Sequence, residues 1–239
     1  MLGRWRPVSD VAHESHESRD PSIAVSGSEV SGSELDASSD AAQLTGSIEP
    51  QPSEITPESW PEPLPDPVTF EGAIALTQDW LDRLERGELS DRQFAAAVAP
   101  LVATIAGARG FFVAYLTGDG SAADRPSTDL VAGLAQSPDT VLELMIKNLA
   151  MSAAMEVTHD RAGDAAMAER SRQTNQRSAR MLQRLAQSAL GPQPVRDYLS
   201  QLHQAATEQA GPLAEFLDKW GYDPEQRAAI VRAIVRVGL

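Results

Sequence analysis

The sequence predicts an all-α protein: a helical bundle of about six to eight helices preceded by a long disordered N-terminal arm. Three observations lead there. After residue 69 apolar residues recur at helical spacing, with capping signals at most of the starts. GFFVAYL (110–116) is the only run of strand composition, and an isolated strand with nothing to pair with is unstable. Before residue 69 there are thirteen Asp and Glu against three Arg, many Ser and Pro, and apolar residues scattered singly.

The arm, residues 1–68, carries about -10 of the formal net charge of -14. Ordering a backbone costs about 1–2 kcal/mol per residue, and the arm has too little apolar surface to offset that. Pro57, Pro61, Pro63, Pro65 and Pro67 close it as an alternating, polyproline-like spacer, expected to hold the arm off the domain. The opening MLGRWRPVSD lacks the apolar stretch of a secretory signal, and the acidic residues after it oppose an organellar transit peptide. A cytoplasmic location is the expectation. With no Cys among 239 residues there is no disulfide framework, thiolate nucleophile, Cys-ligated zinc or iron–sulfur cluster. The acidic balance argues against general attraction to nucleic acid, which needs a surplus of cations.

The domain, residues 69–239, begins where Thr69 caps a helix bearing Ile74, Trp80, Leu81 and Leu84, with Gly87 as its stop. Ser90 and Gln93 form a capping box for a second helix carrying Phe94, Val98, Leu101 and Ile105, which Pro100 should kink or split. The stretch 98–116 approaches the length of a membrane span, but Pro100, Gly107, Gly110 and a central Arg109 interrupt it, so it reads as buried core. At most, Phe111, Phe112 and Tyr115 would offer peripheral membrane contact. Ser127 or Asp129 caps a short helix ending near Gln136.

Ser137-Pro138 then opens a long helix to about Arg161, apolar on nearly every side, which marks it as the centre of the bundle with Met145, Leu149 and Met155 in the core. A second long helix is expected from about Asp164 to Ala189. Its middle, AERSRQTNQRSAR, has no large apolar residue and reads as an element that cannot be buried. Pro194 restarts the chain at the first turn of a helix with Val195, Tyr198, Leu199 and Leu202. A short piece with Phe216 and Trp220 follows, and Asp223-Pro224 starts the last helix, with Ile230, Val231, Ile234 and Val235.

For chemistry, the sharpest pattern is Glu156-Val-Thr-His159, whose i, i+3 spacing puts a carboxylate and an imidazole on one helix face, as in dimetal carboxylate bundles. The second such pair and the two further Glu that these sites require are missing. Met151, Met155 and His159 share a face, but two axial haem ligands approach from opposite sides, so the Met residues read as core. No cofactor is therefore expected. Lys147 either snorkels to water or pairs with Glu143 one turn earlier.

Arg supplies 18 of the 20 basic residues, and Arg170, Arg177, Arg180 and Arg184 fall along one face of the second long helix, beside a small-residue row of Ser171, Thr174 and Ser178. These four arginines are the candidate partner-binding residues. Without Lys or aromatic platforms they make a poor nucleic-acid footprint. The function expected is a non-enzymatic interaction or regulatory protein, adaptor-like, whose partner is a protein and whose acidic arm modulates binding. The alternative is a helical metal- or small-molecule-binding enzyme using Glu156 and His159.

Overall fold

A computed structural model describes residue 61 and residues 63–239, and over that range the protein is all helix. The expectations for residues 1–60 lie outside the described residues. The elements are α1 (Phe70–Glu85), α2 (Asp91–Leu101), α3 (Ile105–Thr117), a single 3-10 turn (Ala122–Asp124), α4 (Thr128–Leu134), α5 (Pro138–Arg161), α6 (Ala165–Ala186), α7 (Pro192–Glu208), α8 (Ala214–Lys219) and α9 (Pro224–Val237). These nine helices exceed the expected six to eight chiefly because Pro100 ends a helix rather than kinking it. α2 stops at Leu101, and Thr104 caps a new helix through Gly107 N. The strand-like GFFVAYL run is the body of α3.

Local chemistry explains most boundaries. Thr69 accepts from Gly72 N, Ser90 and Gln93 form both bonds of the capping box, Ser127 accepts from Leu130 N, and Asp223 caps α9 with Gln226 closing the box. Two starts differ from expectation. Ser137 makes no side-chain capping bond, so α5 begins on the fixed φ of Pro138 alone, and α7 begins at Pro192, two residues before Pro194. α6 ends at Ala186, three residues short of Ala189.

The core is one continuous cluster with two regions. In the first, α1, α2 and α3 surround an aromatic cluster in which Phe111 stacks on Tyr115 with ring centroids 5.1 Å apart and meets Phe112 edge-on at 5.1 Å. Phe94 joins from α2, its centroid 6.4 Å from both Phe111 and Tyr115. Gly110 allows α1 to come close to α3, since a Cβ there would sit 2.5 Å from Ala73 Cβ. Arg109, the charge that interrupts the apolar stretch, lies over the Phe70 ring at 5.3 Å. Phe111, Phe112 and Tyr115 are buried, so they offer nothing to a membrane surface, and no described helix is long and apolar enough to cross one.

In the second part α5 is central, packed against α6, α9, α7 and α3. Met145, Ile146, Leu149 and Ala150 on α5 are fully enclosed. Met155, expected in the core, is only half-buried. The end of the Pro-rich spacer also departs from its predicted role. Leu64 and Val68 pack against the core, so this stretch lies on the domain rather than holding clear of it.

Candidate functional site

The polar middle of α6, read from sequence as unable to be buried, is where the largest correction falls. Asn175, Arg177 and Ser178 are all buried, Arg177 with 1% of its surface exposed. A buried guanidinium is tolerated only when its donors are matched, and here all five are. Nε donates to Asp124 Oδ1 at 2.9 Å, Nη1 to the carbonyls of Leu116 at 3.1 Å and Gly118 at 2.7 Å, and Nη2 to the Gly120 carbonyl at 2.8 Å and Asp124 Oδ2 at 3.1 Å. Three of those acceptors are the carbonyls of Leu116 in the last turn of α3 and of Gly118 and Gly120 just after it, where the helix offers no N–H partner.

Arg177 thus clamps the loop 116–124 onto α6. The guanidinium also holds the Asp124 carboxyl below its ordinary pKa, chiefly by direct hydrogen bonding. Tyr115 completes the clamp by donating to the Ala122 carbonyl at 2.9 Å, and burial pushes its phenol upward.

The neighbouring buried polar residue ties three helices together. Asn175 Nδ2 donates to the Leu149 carbonyl at 2.9 Å and to Ser152 Oγ at 3.2 Å on α5, while its Oδ1 accepts from Arg236 Nη1 at 3.1 Å on α9. A second buried arginine works like Arg177 at the other end of the domain. Arg227 donates to the carbonyls of Tyr222 and Ala205 and to Asp218 Oδ1 at 2.7 Å, fixing the end of α7 and the α8 segment against α9.

The four candidate partner-binding arginines therefore do not form one free row. Arg177 is withdrawn into the clamp, Arg180 donates to the Asp124 carbonyl at 2.7 Å, and Arg184 to Thr128 Oγ1 at 3.2 Å. Arg170 alone of the four is exposed. Ser178, from the small-residue row, is buried and returns its hydroxyl to the Thr174 carbonyl at 2.8 Å.

Glu156 and His159 are not brought to a common ligand either. Glu156 accepts from Arg172 Nε at 2.9 Å, and His159 sits half-buried in the last turn of α5 with an enclosed Nε2 that has no hydrogen-bond partner. Among the described residues no three His, Cys, Asp or Glu gather as a metal would require. Lys147 pairs with Glu143 and also lies 5.5 Å above the Phe216 ring.

Two concavities flank α9. One, of about 200 Å³, is a mixed-charge cleft beside α5, lined by Glu156, Asp160, Arg161, Glu225, Arg232 and Arg236. Its charges largely satisfy one another: Arg161 bridges Asp223 and Glu225, and Glu156 is held by Arg172. The other is a groove of about 530 Å³ between α7 and α9, lined by Arg196, Leu199, Ser200, His203, Ile234, Val235, Gly238 and Leu239. Val235 is 72% exposed and Leu239 39%. Sequence reasoning did not single out this groove, although a signal was present. Ile230, Val231, Ile234 and Val235 make an apolar stripe wider than one buried helix face needs.

The fold and these sites define an all-α domain whose loops are pinned by buried arginines and whose last helix carries an open apolar edge. Residues 69–237 match the family described as Uncharacterised conserved protein UCP020893, and the chain belongs to that family. No curated protein and no solved structure matches the chain.

Proposed function

We propose that this domain is a non-enzymatic interaction module that binds a protein partner, and that it does so through the α7–α9 groove rather than through the arginines of α6. The observation that supports this reading is the exposed apolar edge of α9. Val235 and Leu239 stand in solvent next to half-buried Ile234 and above Leu199, continuous with the groove. Apolar surface joined to a concavity and rimmed by polar side chains marks interaction sites on folded proteins. Of the two groups that the sequence offered for catalysis, Glu156 and His159, the first is engaged by Arg172, which supports the same reading.

The test is a photo-crosslinking side chain placed at Val235 in the full chain within its source cells, with the same side chain at exposed Arg92 on α2 as the control. The expected result is an adduct of one discrete mass at position 235 and none of that mass at position 92. Identical patterns at the two positions would overturn the reading. Repeating the experiment without residues 1–57 reads the contribution of the acidic arm, since modulation requires a change in adduct yield.

A further inference from the structure

We infer that the cleft between α5 and α9 binds a compact zwitterion, a free amino acid with a short aliphatic skeleton. This ligand site is separate from the α7–α9 groove and stands or falls independently of the docking proposed there.

The two helices that build the cleft run antiparallel. Gln226 near the start of α9 donates to Thr158 Oγ1 near the end of α5 at 2.9 Å, while Arg236 near the end of α9 reaches Asn175, which is bonded to the Leu149 carbonyl half-way along α5. Residues one turn apart share a helix face. α5 accordingly supplies Glu156 and Asp160 to the cleft, and α9 supplies Arg232 and Arg236. The two walls carry opposite charge, yet neither of these arginines forms an ion pair among the described residues.

Other bonds hold the walls apart. Glu156 Oε1 accepts from Arg172 Nε at 2.9 Å, and Arg161 at the rim is bridged to Asp223 and Glu225. Arg236 Nη1 donates to Asn175 Oδ1 at 3.1 Å, and Asn175, itself 1% exposed, is fixed to α5 by two bonds. Asp160, Arg232 and the rest of the Arg236 guanidinium are left without a charged partner among the described residues. An arginine without an ion pair is common in this domain and means little by itself. Here two of them share a partly enclosed space with carboxylates that they do not touch.

Size and charge select the occupant. A volume of about 200 Å³ is below the roughly 300–1,000 Å³ of pockets that take drug-sized ligands, so the occupant is compact. Ala153, Val157 and Ala229 add small apolar surface that suits an aliphatic skeleton. A carboxylate accepts a two-pronged hydrogen bond from a guanidinium, and an ammonium brings three donors to carboxylate oxygens. A molecule with both groups satisfies both walls at once. It also carries no net charge, so the formal -14 of the chain does not repel it as it would repel a simple anion.

The probes are L-valine and γ-aminobutyrate, which set ammonium and carboxylate at different spacings. Valinamide and N-acetylvaline are the analogues that keep only one charge each. All four are titrated into the isotope-labelled full chain, with backbone amides and arginine Nε–H groups followed by NMR, and then into the variants Arg232→Gln and Asp160→Asn. Both side chains are exposed and have no bonding partner among the described residues, so the fold does not depend on them. Arg232→Lys, which keeps the charge and loses the fork, is the milder second variant. Arg92→Gln on α2 is the control.

At least one of the two zwitterions is expected to bind saturably with a Kd of about 1 mM or tighter, shifting amides of residues 153–161 and 225–236. The single-charge analogues should bind about tenfold more weakly or worse, Arg232→Gln and Asp160→Asn should each weaken the zwitterion by about fivefold or more, and Arg92→Gln should change nothing. Failure of both zwitterions to saturate overturns the inference. N-acetylvaline binding as tightly as L-valine would make the cleft a simple anion site and overturns it as well, as does binding that is indifferent to both variants. None of these results touches the crosslink at position 235, which reads a different face of α9.

Discussion

The α1–α3 region and the buried face of α6 enclose their surfaces by opposite means. In the first, Phe94, Phe111, Phe112 and Tyr115 fill the interior with apolar area, and the only polar atom of the cluster, the Tyr115 hydroxyl, is satisfied by one carbonyl. In the second, Asn175, Arg177 and Ser178 are buried on a helix with hardly any large apolar residue in its middle, and each has its hydrogen bonds made. The difference shows that polarity alone does not place a helix outside. A polar face can be enclosed when loop and helix carbonyls need the donors it carries.

Removing one partner from the polar interface is expected to give the largest effect. Arg177→Ala leaves three carbonyls without their donors and a gap where the guanidinium lay, while half-exposed Asp124 returns to water, and should cost about 3 kcal/mol or more in urea unfolding. Arg177→Lys should recover only part of this, because an ammonium has three donors where the site takes five. Were the lysine variant as stable as the parent, the clamp would reduce to a simple charge contact.

The apolar side of the comparison gives a loss of similar origin in volume rather than in hydrogen bonding. Phe111→Ala should cost about 3–5 kcal/mol through lost burial and a residual cavity. Asn175→Ala should cost less, about 1–3 kcal/mol, since it removes the Arg236 contact but leaves Ser152 donating to the Asn148 carbonyl and the Leu149 carbonyl its helical bond. Unfolding measured on all three variants sharpens the contrast. If Asn175→Ala proves neutral, the α5–α6–α9 network is only incidental to stability.

The smallest effect is electrostatic. Asp223 is pulled down to about 2, first by the Arg161 guanidinium and then by the backbone N–H of Gln226. Its folded pKa lies below the unfolded value of about 3.9, so its contribution is fully present above that pH and is lost as pH falls through about 2. Asp124 is depressed in the same direction by Arg177. Thermal midpoints measured across that acidic range should fall less steeply in Asp223→Asn than in the parent. An unchanged slope would remove Asp223 from the account. The pair with Arg161 is exposed, which keeps its effect small and salt-sensitive.

What was legible in the sequence follows from what is local. The caps Thr69, Ser90, Ser127 and Asp223 act within three residues, so their helix starts could be read directly, and the run of apolar residues around Leu149 marked α5 as the central element. Arg170, Arg177, Arg180 and Arg184 were legible as a row on one face of α6, but not as a buried clamp, because Arg177 meets acceptors more than fifty positions away. Its neighbour Asn175 is bound to Leu149 across 26 positions. The α7–α9 groove was hidden for a related reason. Val235 and Leu199 are ordinary apolar residues until the crossing of two helices leaves one of them in solvent and the other beneath it.

The sequence by itself determined the helical class, most of the helix starts, a kink or break near Pro100, and the acidity of the first 68 residues. These depend on backbone geometry and on side chains a turn apart. Tertiary structure alone decided which polar residues are enclosed, which arginines remain free, and where an apolar edge is left open. Burial and pairing are properties of the surfaces that meet, and a guanidinium in water and one holding a loop from within are the same letter in the chain.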